Sequence, residues 1–401
     1  MSASVLYNAY GIKGVKYKSL RKLKGAIVYV VEMAYKSFSC PKCSCKSSHF
    51  KGKKTRRLKM PPTGSMKCYL DLVLHRLKCS ECGHQWWPRL SFMKGKYRMT
   101  RSFIRYALDL LNMSTIQDVA NHLGVSWNVV KDIHKLKLGR LYKQISIEDV
   151  RYISVDEFAI KKGHEYMTVF SDVESGRVLH AVEGRKGENI APFLQRLKKE
   201  AKNLKAIAMD MSKAYISAVQ KILPEIDIVF DHFHVNAVMN KALDEIRKEQ
   251  QLSLNSGGEK VLKGNRFLLL KNYECLDFNA KNRLEAVFQV NEPLFKGHAL
   301  KEQFRLFWRQ LTEEDGALFL DKWLADAMGS GIQKIKKAAE TIKAHRFGLL
   351  NYFKHRISNA GAEGLNNKIK TMKRQAYGFR DMDYFKLRLY HLHQQRYSFV
   401  G

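Results

Sequence analysis

Two cysteine pairs constrain the fold of this chain more than any other feature of its sequence. Cys40-Pro-Lys-Cys43 and Cys79-Ser-Glu-Cys82 each hold two thiols at C-x2-C spacing, and 35 residues separate the pairs. A turn of this length sets two sulfurs at the spacing that tetrahedral Zn²⁺ requires. Strand-like apolar runs at 27–31 and 70–74 precede the two turns. The order strand, knuckle, strand, knuckle predicts a zinc ribbon with one structural Zn²⁺ per chain. Four cysteines packed in a core are the alternative, and Cys45 is close enough to compete as a ligand.

The charge of the chain points to its partner. Of the 401 residues, 71 are Lys or Arg and 38 are Asp or Glu, a net charge of +33, and residues 1–150 contribute +21 of it. An excess of this size predicts a polyanionic partner and disfavours an ordinary metabolic enzyme. The sequence has no apolar run of about 18 residues and no signal-peptide core at its start. We therefore expect no membrane span and a cytoplasmic, nucleoid-associated protein.

The densest basic run lies between the two cysteine pairs. It comprises Lys51, Lys53, Lys54, Arg56, Arg57 and Lys59. An isolated run of this kind is usually a solvated loop. Because the predicted zinc ligands flank it, we predict instead that it contacts DNA phosphates, which supply salt-dependent affinity without reading the sequence.

Residues 114–136 carry the pattern of a helix-turn-helix. Ser114, with Gln117 three residues later, predicts the cap of a first helix. Ala120, Gly124 and Val130 supply the small residue, the left-handed turn and the branched apolar residue that such a unit requires. The second helix is predicted to present to a major groove Trp127, Asn128, Lys131, Lys135 and also His134. An ordinary pair of core helices is the alternative.

From residue 152 to residue 230 the pattern changes to strands that alternate with helices. The order βββαβαβ is that of an RNase H-like core of the retroviral integrase superfamily. Asp156 and Asp210 are predicted to leave the ends of two adjacent strands, where two carboxylates can share Mg²⁺. A two-metal site of this kind activates a nucleophile and stabilises the leaving oxygen in phosphoryl transfer. Solvated or helix-capping aspartates are the alternative.

A third carboxylate is expected from a later helix. Glu363 follows the capping residues 358–359, and Asn367, Lys370 and Arg374 share its helix face. That face would join a metal ligand to cations beside DNA. Asp210 and Glu363 are 153 positions apart, which predicts a helical insertion over about 235–350. Trp308 and Trp323 lie in this insertion and are expected in its core, with base stacking as the alternative for an exposed one.

These motifs, in this order, resemble the ISL3 family of insertion-sequence transposases (IS204/IS1001/IS1096/IS1165 type). The resemblance covers essentially the whole chain and is most specific at VDEFAIKKGHEY, AMDMSKAY, FDHFHV, SNAGAEGLNNKIK and RQAYGF. It implies a DDE transposase that uses two Mg²⁺ (or Mn²⁺) ions per active site, with Asp156, Asp210 and Glu363 as the catalytic triad. Strand alternation directs the neighbouring Glu157 to the opposite side of the sheet.

The resemblance also implies the partners. They are the terminal inverted repeats of an insertion sequence and a target DNA, bound by a homodimer that assembles on the DNA. The segment 231–234 resembles a D-x-x-H signature that several DDE families carry. Asp231, His234 and Asn367 are candidates for an accessory role, whereas a helix-capping Asp231 with a packed His234 is the other interpretation.

We therefore predict a multidomain α/β chain in five segments: a zinc ribbon (1–95), a helix-turn-helix (96–148), the first part of an RNase H-like core (149–235), an all-α insertion (236–350) and C-terminal core helices with Glu363 (351–401). The predicted function is cleavage and strand transfer at transposon ends. One alternative is a catalytically inactive DNA-binding protein, which the three filled carboxylate positions disfavour. The other is an RNase H-like structure-selective nuclease, which has less need of the N-terminal modules.

Overall fold

The computed structural model describes residues 3–34, 38–93, 97–161, 165–255 and 264–394. They form two compact units, one within Met1–Arg140 and one comprising Leu141–Gln394. The five-segment division is finer than these units and stays a prediction. Residues 162–164 of the VDEFAIKKGHEY motif and residues 395–401 of the last predicted segment lie outside the described residues.

Within its described residues, the first unit is built on a five-stranded sheet. The strands are β1 (Val15–Leu23), β2 (Ala26–Met33), β3 (Ser48–Thr63), β4 (Met66–Cys79) and β5 (Gln85–Trp86). They lie in the order β1-β2-β4-β3, with β5 paired to β4. Strands β2 and β4 are parallel, and the other pairs are antiparallel. Leu70, Leu72 and Leu74 of β4 are buried, as their alternation predicted. Cys79 ends β4, so this long strand carries the chain directly into the second cysteine pair.

Four helices accompany this sheet in the sequence. They are α1 (Ala3–Tyr10), α2 (Arg101–Leu110), α3 (Ile116–Leu123) and α4 (Trp127–Leu141). Leu6 and Tyr10 of α1 are buried in the same apolar core as Leu70. Helix α2 begins after Thr100, whose hydroxyl accepts the backbone N–H of Phe103 at 3.2 Å. The predicted strands and helices of this half are therefore present, together with β1 and β3, which the sequence pattern did not reveal.

The second unit contains the predicted mixed sheet. Its strands are β6 (Tyr152–Ala159), β7 (Tyr166–Asp172), β8 (Val178–Glu183), β9 (Ala206–Met209) and β10 (Asp227–Phe230), and α5 (Gly187–Glu200) and α6 (Lys213–Ile222) lie between the last three. The spatial order is β10-β9-β6-β7-β8. Strands β6, β7 and β8 are antiparallel, and β9 and β10 run parallel to β6. This arrangement confirms the predicted RNase H-like core.

Strand β6 is longer than its sequence suggested. We expected it to end before Asp156, but it continues to Ala159 because β7 pairs with it as far as Ala159 and Tyr166. On its other side, β9 pairs with β6 only as far as Ser154 and Ala208. Asp156 therefore lies within the strand, on the stretch that β9 no longer flanks.

A succession of helices follows the sheet. They are α7 (His232–Asn255), α8 (Arg266–Leu270), α9 (Phe278–Val290), α10 (Glu292–Arg305), α11 (Glu313–Gly329), α12 (Gln333–Ala344), α13 (Arg346–His355), α14 (Ala360–Gln375) and α15 (Met382–His391). Helix α7 begins two residues after the last residue of β10, earlier than residue 236, where we predicted the all-α insertion to begin. Gly348 of α13 faces the ring of Phe230 so closely that a Cβ there would clash with it. Helix α13 thus packs on β10 itself.

The two tryptophans of the insertion are both engaged in packing. Trp323 is fully buried, and its Nε1 donates to the Leu300 carbonyl at 2.9 Å. Trp308 is half-buried, and its ring stacks on His232 with 3.7 Å between ring centroids. The prediction of a core role is therefore confirmed for Trp323, and Trp308 is covered by a neighbouring ring. None of the helices in the described part of the chain combines the length and apolarity needed to cross a membrane.

Candidate active site and zinc ribbon

Three aspartates lie level with one another at one edge of the second sheet. Strands β6 and β9 pair Ser154 with Ala208, so Asp156 and Asp210 follow at the same height two residues further on. Strands β9 and β10 pair Met209 with Phe230, which puts Asp231 level with Asp210. All three strands run in the same direction, so Asp210 and Asp231 directly follow β9 and β10, and Asp156 lies beside them on the stretch of β6 that β9 no longer flanks. The register thus brings together two aspartates predicted to be catalytic and one predicted to be accessory.

Asp156 is held by two hydrogen bonds. The backbone N–H of Glu157 donates to its Oδ1 at 2.7 Å, and the Asn366 amide of α14 donates to its Oδ2 at 2.6 Å. Burial raises the pKa of Asp156, and the carboxylate of Asp210 raises it further. A carboxyl group whose charge is disfavoured by burial and by a neighbouring carboxylate is stabilised in its ionised form by a cation placed beside it.

Glu157 has a different environment from the aspartate beside it. The Tyr215 hydroxyl of α6 donates to its Oε2 at 3.3 Å, and the same hydroxyl lies 2.8 Å from the Thr168 hydroxyl. Burial is the main cause that raises the pKa of Glu157. Glu157 contacts α6, whereas Asp156 contacts α14. The two side chains therefore point to different sides of the sheet, as the alternation along a strand predicts.

Asp231 caps two helices. Its carboxylate accepts the backbone N–H groups of Phe233 and His234 in the first turn of α7 and that of Asn359, directly before α14. The His234 ring lies 4.0 Å from the same carboxylate. Burial raises the pKa of Asp231 in spite of these bonds. The carboxylate thus joins the N-termini of α7 and α14, which supports the capping interpretation of Asp231; an accessory role for His234 stays a prediction.

Helix α14 presents a different face to the sheet from the one we predicted. Ala362, Ile369 and Met372 are buried, and Asn366 lies on this side and contacts Asp156. The predicted face is exposed and consists of Glu363, Asn367, Lys370 and Arg374. The buried positions fix the rotation of the helix, and they favour Asn366 over its neighbour Asn367 as the residue next to Asp156. The sequence contained this signal in its apolar spacing, 362, 369 and 372.

The residues around Asp156 and Asp210 fit a hard divalent cation. The donors are carboxylate oxygens, which Mg²⁺ and Mn²⁺ prefer. Asn359 is 95% buried, its amide nitrogen donates to the Val155 carbonyl at 3.4 Å, and its Oδ1 has no hydrogen-bond partner in the structure. A buried oxygen in this position is a further hard donor at the same sheet edge.

The four cysteines of the two C-x2-C turns meet in the first unit. The sulfurs of Cys40 and Cys82 are 3.6 Å apart, those of Cys43 and Cys79 are 3.5 Å apart, and all four lie within 4.8 Å of one another. Four thiolates at about 2.3 Å from Zn²⁺ have sulfurs about 3.8 Å apart, so the cluster matches a tetrahedral zinc site. Among the residues that the structure describes, no other group of three or more His, Cys, Asp or Glu comes as close. The carboxylate oxygens of Asp156, Asp210 and Glu363 therefore do not converge as closely as the four cysteine sulfurs do.

Backbone hydrogen bonds shape each cysteine turn. The N–H of Cys79 donates to the His84 carbonyl at 2.9 Å, and the N–H of Gly83 donates to the Cys79 carbonyl at 3.2 Å. Hydrogen bonds from the backbone N–H groups of Cys82 and Glu81 lower the pKa of the Cys79 thiol to about 6, which favours the thiolate that binds metal. Cys45 lies outside the cluster, with its sulfur accepting the N–H of Ser47 at 3.2 Å.

Helices α3 and α4 have the geometry of the predicted helix-turn-helix. Gly124 ends α3 in the left-handed conformation with φ of +58°, and Ala120 and Val130 are buried. The cap is one residue later than predicted. Thr115 and Asp118 form the reciprocal capping box that we assigned to Ser114 and Gln117, because Asp118 is the residue that returns a bond to the cap backbone.

Most of the predicted recognition residues of α4 reach the surface. Trp127 and Asn128 are exposed, whereas Lys131 and Lys135 are half-buried. The Lys131 ammonium lies 5.6 Å from the centre of the Trp127 ring. His134 is 3% exposed and cannot face a groove, so that expectation is wrong. It directly follows Ile133 and lies one turn after Val130, on the apolar side of the helix.

The basic run lies on strand β3, and the protein itself binds three of its members. Arg57 donates from Nε and Nη2 to the buried Asp71 carboxylate at 2.7 and 2.8 Å. Lys59 donates to the Gly124 carbonyl in the turn of the helix-turn-helix. The Lys54 ammonium lies 3.7 Å from the centre of the Trp87 ring. The remaining members, Lys51, Lys53 and Arg56, are exposed or half-buried. DNA contact by this run stays a prediction, and it is best supported for these three.

Family models and relatives agree on the class of this chain. The model described as an ISL3 transposase matches residues 153–389. A zinc finger of transposase IS204/IS1001/IS1096/IS1165 matches residues 36–82, and a helix-turn-helix domain of transposase family ISL3 matches residues 88–135. The last two matches coincide with the cysteine turns and with α2 to α4.

Individual proteins show the same relationship. The transposase for insertion sequence element IS1001 of Bordetella parapertussis is 31% identical over 354 residues, 87% of each chain. The transposase for IS1557 of Mycobacterium tuberculosis is 25% identical over 372 residues, 85% of this chain and 82% of the relative. A chain of the Drosophila P element transposase strand transfer complex aligns with a TM-score of 0.41 and 11% identity, over 77% of this chain and 94% of that chain. Because the catalytic-domain match spans more than half of the chain and the IS1001 relative is similar over nearly all of it, the chain belongs to the ISL3 family and is a DNA transposase.

Proposed function

We propose that this transposase cuts and joins the ends of an insertion sequence with a DDE triad of Asp156, Asp210 and Glu363 and two divalent metal ions. The observation that carries the proposal is the register that sets Asp156 level with Asp210 on neighbouring parallel strands. Helix α14, which contains Glu363, is bound to the first of these carboxylates through Asn366. Helix α14 thus brings one proposed ligand, Glu363, near another, Asp156, which the sheet register sets level with Asp210.

The chain's own residues prepare this edge of the sheet for metal. Mg²⁺ or Mn²⁺, when bound, would activate the attacking oxygen and stabilise the leaving oxygen of phosphoryl transfer. Asp156 and Asp210 supply carboxylate oxygens, and Asn366 fixes the orientation of the first of them. Asp231 holds the start of α14 beside the edge through the backbone of Asn359.

Glu363 is well placed to complete the set. It precedes Asn366 by three residues on α14, so the Cβ atoms of the two are about 5–6 Å apart. Its side chain is exposed and makes no ion pair with the described residues. A carboxylate one turn from the residue bound to Asp156 is free to turn toward a shared cation.

The first unit supplies the DNA-reading surfaces in this proposal. The cysteine cluster binds one structural Zn²⁺, which holds the ribbon together. Cations on β3 contact phosphates, and exposed residues of α4 read the terminal inverted repeats in a major groove. Two ends have to be brought together before they are joined to target DNA, so we propose that the working form is a homodimer assembled on DNA.

A cleavage assay tests this function. The full chain is incubated with duplexes that cover the DNA on both sides of its gene, with Mg²⁺, with Mn²⁺ or with EDTA. We expect strand cleavage at a fixed position of both ends, joining to a second duplex, and no reaction in EDTA. Binding to the ends without any cleavage would favour the inactive DNA-binding protein, and cleavage only of branched DNA would favour the nuclease.

The Asn366 contact provides a sharper test of the site. Replacing Asn366 by alanine is expected to lower the cleavage rate or the apparent metal affinity about 10- to 100-fold, because residues that orient metal ligands contribute to this extent. The Asn367→Ala variant is the matched control, since this exposed neighbour does not contact Asp156. Single-turnover cleavage measured against Mn²⁺ concentration separates an effect on the rate from an effect on metal affinity. Equal losses of activity in the Asn366→Ala and Asn367→Ala variants would contradict the role of Asn366.

A further inference from the structure

Helix α14 ends in a turn that holds an aromatic ring in solvent. The backbone N–H of Tyr377 donates to the Arg374 carbonyl at 3.1 Å, and that of Gly378 donates to the Lys373 carbonyl at 3.1 Å. This pair of bonds is a Schellman motif, in which the residue after the cap is left-handed and is usually glycine. Tyr377 occupies that position with φ of +50°, while the glycine stands one residue later.

Tyrosine is unfavourable in this left-handed conformation, and burial of its side chain does not offset the strain. A residue with a Cβ is less stable than glycine in the left-handed region. The side chain recovers nothing by burial, because Tyr377 is 100% exposed. A strained position that presents a ring to solvent is typical of a residue retained for binding.

The surroundings of this ring define what it can bind. Tyr377 lies directly beyond the end of α14, three residues after Arg374, which is the last member of the exposed face that starts at Glu363 and passes Lys370. The two cations form no ion pair with an acidic side chain in the described part of the chain. This face therefore leads from a proposed metal ligand through two unpaired cations to an exposed ring, which complements a nucleic acid strand in charge and in shape.

We propose that Tyr377 stacks on an unpaired base of the DNA strand whose phosphates contact Lys370 and Arg374. The inference rests on the proposed function, which places the scissile phosphate at the carboxylates. Glu363 lies 12 residues before Gln375, the last residue of α14, which is about 18 Å along the helix, and Tyr377 follows two residues beyond that end. At about 3.4 Å per nucleotide, the stacked base lies on the order of six nucleotides from the cleavage position.

Fluorescence of 2-aminopurine tests the contact without catalysis. The probe is a duplex of the gene-flanking end with 2-aminopurine at one position at a time, bound to the full chain in EDTA. We expect one position near the sixth nucleotide to be quenched in the wild-type complex and to lose this quenching in Tyr377→Ala. Affinity for the same duplex is expected to fall about tenfold, as for the loss of one stacked base. The Tyr377→Phe variant keeps the ring and is expected to behave like the wild type.

The outcomes separate this inference from the proposed function. Phe278→Ala, which removes another ring that is 76% exposed, is the matched control and is expected to change neither signal. Equal quenching and affinity in Tyr377→Ala and wild type, with cleavage intact, would overturn the stacking role alone. A wild-type chain that shows the Tyr377-dependent quenching but never cleaves in Mg²⁺ would overturn the catalytic proposal alone. A chain that binds none of the duplexes would overturn both.

Discussion

Asp156→Asn and Asp210→Asn are each expected to abolish metal-dependent cleavage of a transposon end, by at least about a thousandfold, while binding of the same DNA is retained. The physical reason is the loss of a hard anionic ligand from a shared site, since metal stabilisation of the reacting oxygens contributes several kcal/mol. Asparagine preserves the shape of each side chain, and in Asp156→Asn the new amide oxygen can still accept the hydrogen bond from Asn366. Cleavage and gel-shift assays on the same preparation measure the two effects separately.

Two further substitutions make this prediction specific. Glu225→Gln removes an exposed carboxylate of the same unit just before β10, at the end of the sheet opposite the aspartates, and is expected to leave the rate unchanged. Glu363→Gln is expected to cause a loss comparable to that of the aspartate variants. Full activity in either aspartate variant would refute the site, whereas full activity in Glu363→Gln alone would show that another residue is the third ligand.

The sequence predicted the sheet of the second unit because the signals for most of its strands are local. Short apolar strands that end at Asp210 and Asp231 can be identified without knowing their neighbours, and the order βββαβαβ then constrains the strand order. The predicted end of β6 was wrong because it depends on a contact that is distant in the sequence. Its continuation past Asp156 depends on pairing with β7, a partner that no local pattern identifies.

The rotation of α14 about its axis could not be predicted from the spacing of its residues in the sequence. Periodicity correctly put Glu363 and Lys370 on one face, but it does not say which face meets the sheet. Burial of Ile369 and Met372 decided that question and brought Asn366 to Asp156. Packing sets the rotation of a helix about its axis. A prediction from periodicity alone can therefore select a residue one position away from the one that makes the contact, here Asn367 instead of Asn366.

The basic run of the first unit illustrates a second limit. Counting charges treats Arg57 and Lys59 as equivalent to Lys51, yet the first binds Asp71 and the second binds the Gly124 carbonyl. These partners are 14 and 65 residues away in the sequence. Charge density therefore predicts a basic surface, and only the fold separates the cations that the protein itself binds from those that remain exposed.

Cys40→Ser is expected to remove zinc from the chain and to unfold the ribbon. Its sulfur lies 3.6 Å from that of Cys82 within the four-cysteine cluster, and a hydroxyl is a poor replacement for a thiolate on zinc. Binding of structural zinc contributes about 10–16 kcal/mol in small zinc domains, more than a domain of this size can lose. We expect zinc per chain to fall to near zero, proteolysis to start within residues 1–140, and affinity for the inverted repeat to fall with it.

Cys45→Ser is the matched control, because it removes a nearby thiol that is not one of the four proposed zinc ligands. Cys45 belongs to the same turn region, but its sulfur bonds to Ser47 and lies outside the cluster, so this variant is expected to keep its zinc and its resistance to protease. Metal analysis and limited proteolysis of both variants settle the ligand set. Zinc retained in Cys40→Ser and lost in Cys45→Ser would mean that Cys45 is a ligand. Equal zinc and equal protease resistance in both variants would mean that the ribbon does not depend on this site.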